Sequence, residues 1–235
     1  MSNYVIIGAA GGIGSDLVNR LDEDNHNLFL SHHSGSNSKL LDFQTHAVDS
    51  TSFESMEKFI EKGKKNLGKI DGIISLPGTI LLRPPHLFSE DDYKKVVDTN
   101  LKSAFSVVRA VGKFLDNTVV VMMSTAVTNI GLANHEAVVA SKSGIESIAR
   151  SASVTYARKK IRFNVVAPGL VDTPLSSPII KNPVSLEYSK KLHITEEIGR
   201  PKDITNMIKF LIDPENKWIT GQTFAIDGGL SSTKK

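Results

Sequence analysis

Short unbroken apolar runs alternate along this chain with longer segments in which apolar positions recur at helical spacing. The unbroken runs are Tyr4–Ile7, Asn27–Ser31, Gly72–Leu76, Thr118–Met123, Arg162–Ala167 and Thr223–Ile226, rich in Val, Ile, Leu and Phe. Apolar character on both faces predicts strands covered on both sides, as in a parallel sheet. The periodic segments predict helices near 13–23, 52–65, 90–115, 135–158 and 202–213. Regular strand–helix alternation implies right-handed βαβ crossovers and an α/β fold: a doubly wound, mainly parallel sheet flanked by helices. No repeat, low-complexity tract or linker interrupts the pattern, so residues 1–235 read as a single domain. Two stretches break the rhythm. Ser31–Thr45 is polar and predicts a loop; Asp172–Ile198 carries three prolines without a clear period and predicts a lid or substrate-loop insert over a site.

Composition narrows the function classes. The chain is 40% hydrophobic and 23% charged, an ordinary globular balance. Its net charge is +3, and its basic runs, Lys64-Lys65 and Arg158-Lys159-Lys160, are short, which argues against a nucleic-acid partner. There is no cysteine, hence no disulfide framework, thiolate nucleophile or cysteine-based metal site. The start, MSNYVIIGAAGG, reads as a strand running into glycine, neither a secretory signal nor a membrane span. The expectation is a soluble cytoplasmic protein with no membrane partner.

The strand YVII runs into GAAGGIG, placing Gly8, Gly12 and Gly14 in the spacing G-x-x-x-G-x-G, with a helix starting at about Ile13. Glycines there let the backbone turn sharply and approach a pyrophosphate, whose charge the helix N-terminus stabilises. This is a Rossmann-type dinucleotide turn; the bland alternative is a glycine-rich turn with no ligand. A site for NAD places an acid at the end of the second strand to hold the ribose hydroxyls. LFLSHHSGSNSK has no acid and offers His32, His33, Ser34 and Lys39 instead. Hydroxyls and a cation suit a 2′-phosphate, which favours NADP, with NAD possible. Alternatively the histidines cap an exposed strand end; neighbours on a strand point to opposite faces and make no metal pair.

Further motifs follow in order: Asp49 in AVDS, Asn100 in VDTNLKSAF, Lys142 in ASK, Pro168-Gly169 in NVVAPGLVDTP, Gly199-Arg200-Pro201 in EEIGRPKDI, and TGQTFAIDGG near the C-terminus. Together with the glycine turn this series resembles the short-chain dehydrogenase/reductase family, essentially end to end. Gly8, Gly12, Ile13 and Gly14 are expected at the phosphates and His33 by a 2′-phosphate; the resemblance implies Asp49 and Ser50 flanking the adenine. It implies Leu76 and Gly78 beneath the nucleotide and Lys142 on the nicotinamide ribose. Pro168, Gly169, Val171 and Thr173 would hold the carboxamide, and Asn100 would kink its helix and anchor a water connected to Lys142.

Three positions depart from the family pattern. Ser75-Leu76-Pro77-Gly78 replaces N-N-A-G and keeps only the glycine; Thr125 stands for the catalytic serine and keeps its hydroxyl; Val138 stands for the catalytic tyrosine. Carbonyl reduction must protonate an alkoxide, a step to which a positioned acid contributes on the order of 10²–10⁴ in rate. Valine cannot do this. His135, seven residues before Lys142, shares its helix face about 10 Å away along the axis, and imidazole titrates near neutrality. The enoyl-reductase branch of the superfamily spaces its tyrosine from the lysine in the same way. The alternative places His135 and Glu136 at the helix N-terminus, Glu136 complementing the dipole. HEAVV is not a zinc helix, since H-E-x-x-H would need histidine at Val139, and no metal site is expected. Tyr156 lies too far along the helix to replace the lost phenol, and Tyr188, in the lid, is expected to contact substrate.

The leading reading is an NAD(P)-dependent oxidoreductase moving a hydride between nicotinamide and a small carbonyl, alcohol or conjugated enone. Lys142, Thr125 and Asn100 form its machinery, with His135 or water moving the proton. The alternative is a catalytically degenerate NADP-binding protein with a regulatory or assembly role. Ala104, Phe105, Val107 and Val108 on one helix, with Val138, Val139, Ile145 and Ile148 on another, make more than one apolar stripe. One stripe would pack on the sheet and the rest would suit a homodimer or homotetramer; otherwise both are buried in the monomer.

Overall fold

The computed structural model describes residues 1–33, 40 and 42–233. Seven strands form one sheet in the order β3-β2-β1-β4-β5-β6-β7. They are β1 Asn3–Ile7, β2 Asn27–His32, β3 Thr45–Ala47, β4 Gly72–Ser75, β5 Val119–Met123, β6 Arg162–Pro168 and β7 Thr223–Ile226. Every pairing is parallel. The chain winds outward from β1 to β3 and then returns to lay β4 against β1's other side. That reversal opens a crevice beyond the carboxyl ends of β1 and β4, the place where open α/β sheets bind ligands.

The sequence reading lacked β3. Thr45–Ala47 is too short and polar to stand out as an apolar run, and its pairing with Leu30, Ser31 and His32 of β2 makes it a strand. His32, predicted to be loop, accordingly belongs to β2, which extends one residue past the predicted strand Asn27–Ser31. Ser34 and Lys39, expected near a 2′-phosphate, lie outside the described residues.

The flanking helices are α1 Gly12–Glu23, α2 Phe53–Leu67, α3 Glu90–Val97, α4 Ser103–Phe114, α5 Glu136–Thr155 and α8 Pro201–Ile212. Ser52 and Ser89 cap α2 and α3 by accepting from the amides of Ser55 and Asp92, the usual service of serine at an N-cap. Side chains alternate across the strands. Val5 and Ile7 join Ile73, Val107, Val120, Ile145 and Phe163 in a core under α2, α4 and α5. Ile6 joins Leu17, Ile74, Val121, Ile204 and Ile208 under α1 and α8. Each such aliphatic side chain contributes about 1.5–3 kcal/mol when fully buried.

The predicted helix over 90–115 is two helices joined by a π turn at Asp98–Lys102. The helix predicted over 135–158 starts one residue later and stops at Thr155, with His135 as its N-cap. Tyr156 then packs on Phe163 and so tightly over Gly112 that a Cβ there would lie 2.4 Å from its ring. The predicted lid contains two short helices, α6 Ser177–Ile180 and α7 Pro183–Leu192. Pro178 and Pro183 sit in their first turns, where proline's missing amide costs nothing, and Asn182 accepts from Val184 and Ser185 to cap α7.

The apolar stripes expected to face a second subunit are largely consumed within the monomer. Ala104, Val107, Val108, Val138 and Ile145 are buried, and Val139 and Ile148 are partly buried; Phe105 alone of the set is exposed, its ring 5.9 Å from Phe53. Among the described residues no helix is long and apolar enough to cross a membrane.

Candidate active site

The β1–α1 turn shows why its glycines are required. Gly8 has φ +79°, and Cβ atoms on Gly12 and Gly14 would lie 2.8 Å from Thr173 and 2.6 Å from the carbonyls of Gly8 and Ala9. Glycine alone permits this approach of turn, helix and the loop after β6. The N-cap of α1 is Gly11, no side chain caps it, and no acid stands in the first turn. A helix terminus left in this state carries partial positive charge and amides without intrahelical partners, which fits a phosphate.

Gly8, Gly12, Ile13 and Gly14 line a cavity of about 740 Å³ together with Leu76, Gly78, Pro168, Gly169, Val171 and Thr173. Thr125, His135, Val138, Lys142 and Tyr188 line it too. Asn100 stands directly behind this wall, beside Gly78. His33, Asp49 and Ser50 are not in the lining; they follow the carboxyl ends of β2 and β3 on the same edge of the sheet. Asp49 is exposed, and the Thr51 hydroxyl and amide it accepts from hold its carboxyl below the usual range.

Lys142 is the chemical centre of the cavity wall. It projects from the second turn of α5, is 8% exposed, and donates from Nζ to the Met123 carbonyl at 2.9 Å. Burial without a compensating carboxylate pulls its pKa down to about 8. The π turn brings Asn100 alongside. Its Oδ1 accepts from the Thr79 amide at 3.0 Å, and its Nδ2 donates to the Thr79 carbonyl at 3.1 Å. A Cβ on Gly78 would lie 3.2 Å from Lys142 Nζ and 3.3 Å from Asn100 Oδ1, so glycine there leaves amine and amide room to share one wall.

Thr125 follows β5 and directs Oγ1 at the Pro168 carbonyl across a long 3.4 Å contact, a weak bond that a substrate oxygen can replace. Val138 is 5% exposed and forms the wall one helical turn before Lys142. His135 precedes α5 rather than riding on it, because its backbone leaves the helical region at φ −100°, ψ 2°. Nδ1 donates to the Ala133 carbonyl at 2.8 Å. Glu136 is exposed in the first turn of α5, where its charge complements the dipole.

Two groups escaped sequence reasoning. Glu146, one turn beyond Lys142 and 8% exposed, accepts from Ser124 Oγ at 2.6 Å and Thr128 Oγ1 at 2.9 Å. These hydroxyls bracket Thr125, whose carbonyl Thr128 Oγ1 also approaches at 3.0 Å. An acid on the helix face that carries Ile145 and Ala149 was the available signal. His193 closes the far side: Nδ1 donates to the Ser189 carbonyl at 2.7 Å and Nε2 accepts from the Leu170 amide at 3.2 Å. That pairing ties the end of α7 to the loop after β6, and nothing local in the sequence announces it. Among the described residues no group of three or more His, Asp or Glu side chains can hold a metal ion.

A family model described as enoyl-(acyl carrier protein) reductase matches residues 8–231, nearly the whole chain. The chain belongs to the short-chain dehydrogenase/reductase family. It is 27% identical to a hydroxynaphthalene reductase-like protein of Metarhizium anisopliae, the match covering 96% of this chain and 93% of that one. It is 25% identical to a 3-oxoacyl-[acyl-carrier-protein] reductase of Thermotoga maritima, covering 96% of both. The fold superposes on levodione reductase with a TM-score of 0.92 at 23% identity, over 99% of this chain and 98% of that one. An actinorhodin polyketide ketoreductase solved with NADPH gives 0.90 at 20% identity, over 99% and 98%. Members of this short-chain family are oxidoreductases that bind nicotinamide coenzymes, and the uncapped α1 terminus, the glycine cradle and Lys142 suit such a ligand.

Proposed function

We propose that this short-chain dehydrogenase/reductase is an NADP-dependent oxidoreductase acting on a small carbonyl compound, the corresponding alcohol, or a conjugated enone. The observation that carries the reading is that Lys142 and Thr125 line one cavity with the glycine turn of α1, while Asn100 stands behind its wall beside Gly78. The coenzyme, when bound, supplies or accepts the hydride. The first turn of α1 binds its phosphates. Lys142 holds the nicotinamide ribose, and the stretch from Pro168 to Thr173 holds the carboxamide. Thr125 donates its hydroxyl to the substrate oxygen.

The proton needs a route that avoids Val138. His135 lines the cavity and engages the Ala133 carbonyl through Nδ1, leaving Nε2 to carry a proton to a substrate alkoxide. Water held near Lys142 is the competing route. Preference for the 2′-phosphate is supported by His33 at the end of β2, by the lack of an acid there, and by the NADPH in the ketoreductase of like fold. Val138 also motivates the second reading, a protein that binds the coenzyme without turning it over.

Titration with NADPH, followed by nicotinamide fluorescence, and a panel of ketones and enones, followed by NADPH oxidation, separate these readings. Binding with turnover supports the enzyme; binding with none across the panel supports the second reading; no binding overturns both. Lys142→Ala is expected to weaken NADPH at least about tenfold, a loss of about 1.4 kcal/mol. His135→Ala is expected to lower turnover about 100-fold while sparing NADPH affinity. An unchanged rate and pH profile would hand the proton step to water.

A further inference from the structure

The part of the cavity between Thr125 and the lid has a chemical character that specifies what enters it. Its wall is mainly hydrocarbon, from Val127, Leu132 and Val138 and from the lid's Leu175, Ile179 and Leu192, with Asn134, Ser185 and Ser189 adding only uncharged polar groups. No Arg, Asp or Glu side chain lines the cavity among the described residues. The ionisable groups present are already engaged. Lys142 Nζ is bonded to Met123 at the buried end, and both ring nitrogens of His193 are taken by backbone. His135 gives Nδ1 to Ala133 and, on the reading above, Nε2 to the reacting oxygen, and Tyr188 is 61% exposed at the rim.

A carboxylate or phosphate drawn beneath such a lid would lose its hydration and meet no cation beyond the Lys142 amine, committed to Met123 and the coenzyme ribose, and the His135 imidazole, committed to the reacting oxygen. A hydrocarbon body there loses only unfavourable contact with water. Resting on the coenzyme reading above, we infer that the substrate is an uncharged, predominantly hydrocarbon ketone or enone whose one essential polar atom is the oxygen facing Thr125. The site excludes keto acids, sugar phosphates and any carbonyl compound with an anionic group within a few bonds of the reacting carbon. A thioester whose charged portion stays outside the lid is not excluded, because only its acyl part would meet this wall.

The test uses the whole protein saturated with NADPH and three probes: cyclohexanone, 1-tetralone and 4-oxocyclohexane-1-carboxylate. Binding is read from the shift in thermal midpoint and turnover from ketone-dependent NADPH oxidation. Tetralone is expected to bind more tightly than cyclohexanone, by about fourfold for each added carbon that is buried. The carboxylate is expected to bind at least about 100-fold more weakly than cyclohexanone. Leu175→Arg, at a half-exposed lid position, is expected to recover about tenfold of the carboxylate's loss by supplying its missing cation. If that variant does not fold, the ranking on the wild-type protein decides by itself. Carboxylate binding equal to cyclohexanone, or no binding of either neutral ketone while NADPH binds normally, overturns the inference alone. Failure to bind NADPH overturns the coenzyme reading beneath it.

Discussion

Two residues on one helix, Val138 and Lys142, hold most of the mechanistic question. The valine removes the acid that the resemblance calls for, yet the surroundings keep a hydroxyl at Thr125 and an amine beside Asn100. Val138→Tyr is therefore expected to raise ketone reduction by about 10²-fold or more, read as NADPH oxidation, if the remaining geometry is productive. No gain with NADPH affinity retained would show that more than the phenol is missing. Lys142 makes a separate prediction about stability. Its folded pKa, about 8, is depressed from 10.5, so between these values the unfolded chain binds a proton that the folded chain does not. Stability conferred through this residue consequently rises as pH increases through that window. Lys142→Met removes the titration. The variant should be more stable than wild type at pH 7 by about 1–3 kcal/mol, and the difference should shrink towards pH 10. Parallel urea curves at the two pH values check it; a gap independent of pH would refute the assignment. Both residues were legible in VVASK through the family resemblance, four residues or about one helical turn apart. The depressed pKa was not, since burial is a property of everything packed around the amine.

At the scale of elements, the lysine's helix and the strand before Thr125 are joined by a buried polar link. Glu146 on α5 accepts from Ser124 and Thr128, on either side of Thr125. Glu146→Ala would leave Ser124 and Thr128 only the Lys142 and Thr125 carbonyls as acceptors, at a cost on the order of 1–2 kcal/mol. Glu146→Gln, which keeps a carbonyl oxygen, should cost less than about half of that, and thermal unfolding of the pair distinguishes the two. Equal losses would mean that the carboxylate charge, rather than an acceptor, is what the link needs. The π turn teaches a related lesson. Apolar periodicity across 90–115 read as one continuous helix, since the segments before and after the π turn are each helical and too short to fix their relative phase. The family resemblance implied a kink at Asn100; the hydrogen-bonding ladder gives its form, a π turn with Asn100 bonded to Thr79. The lid was legible as an interruption, from its prolines, but its helices α6 and α7 are too short to carry a period and take their stability from neighbours.

For the molecule as a whole, we propose a homodimer or homotetramer. The helical stripes that suggested it are mostly buried in the monomer, while among the described residues β7 pairs with β6 alone and ends the sheet. Trp218, just ahead of that strand, is 97% exposed, and Phe210 on α8 is 46% exposed. Open edges and exposed aromatics favour association. Light scattering is expected to give two or four times 25.6 kDa, with Trp218→Glu shifting the population to smaller species; a monomer throughout would remove the expectation. Alternation of strands and helices, the sheet's parallel sense and the glycine turn could all be read along the chain, because each rests on periodicity or backbone geometry within a dozen residues. Which residues meet could not. His193 reaches Leu170, Glu146 reaches Ser124, and Leu230 joins Val127, across separations that leave no local trace. The apolar, cation-poor wall that selects a substrate exists only once lid, sheet and helix ends have closed together, since its character is the sum of side chains drawn from distant parts of the chain.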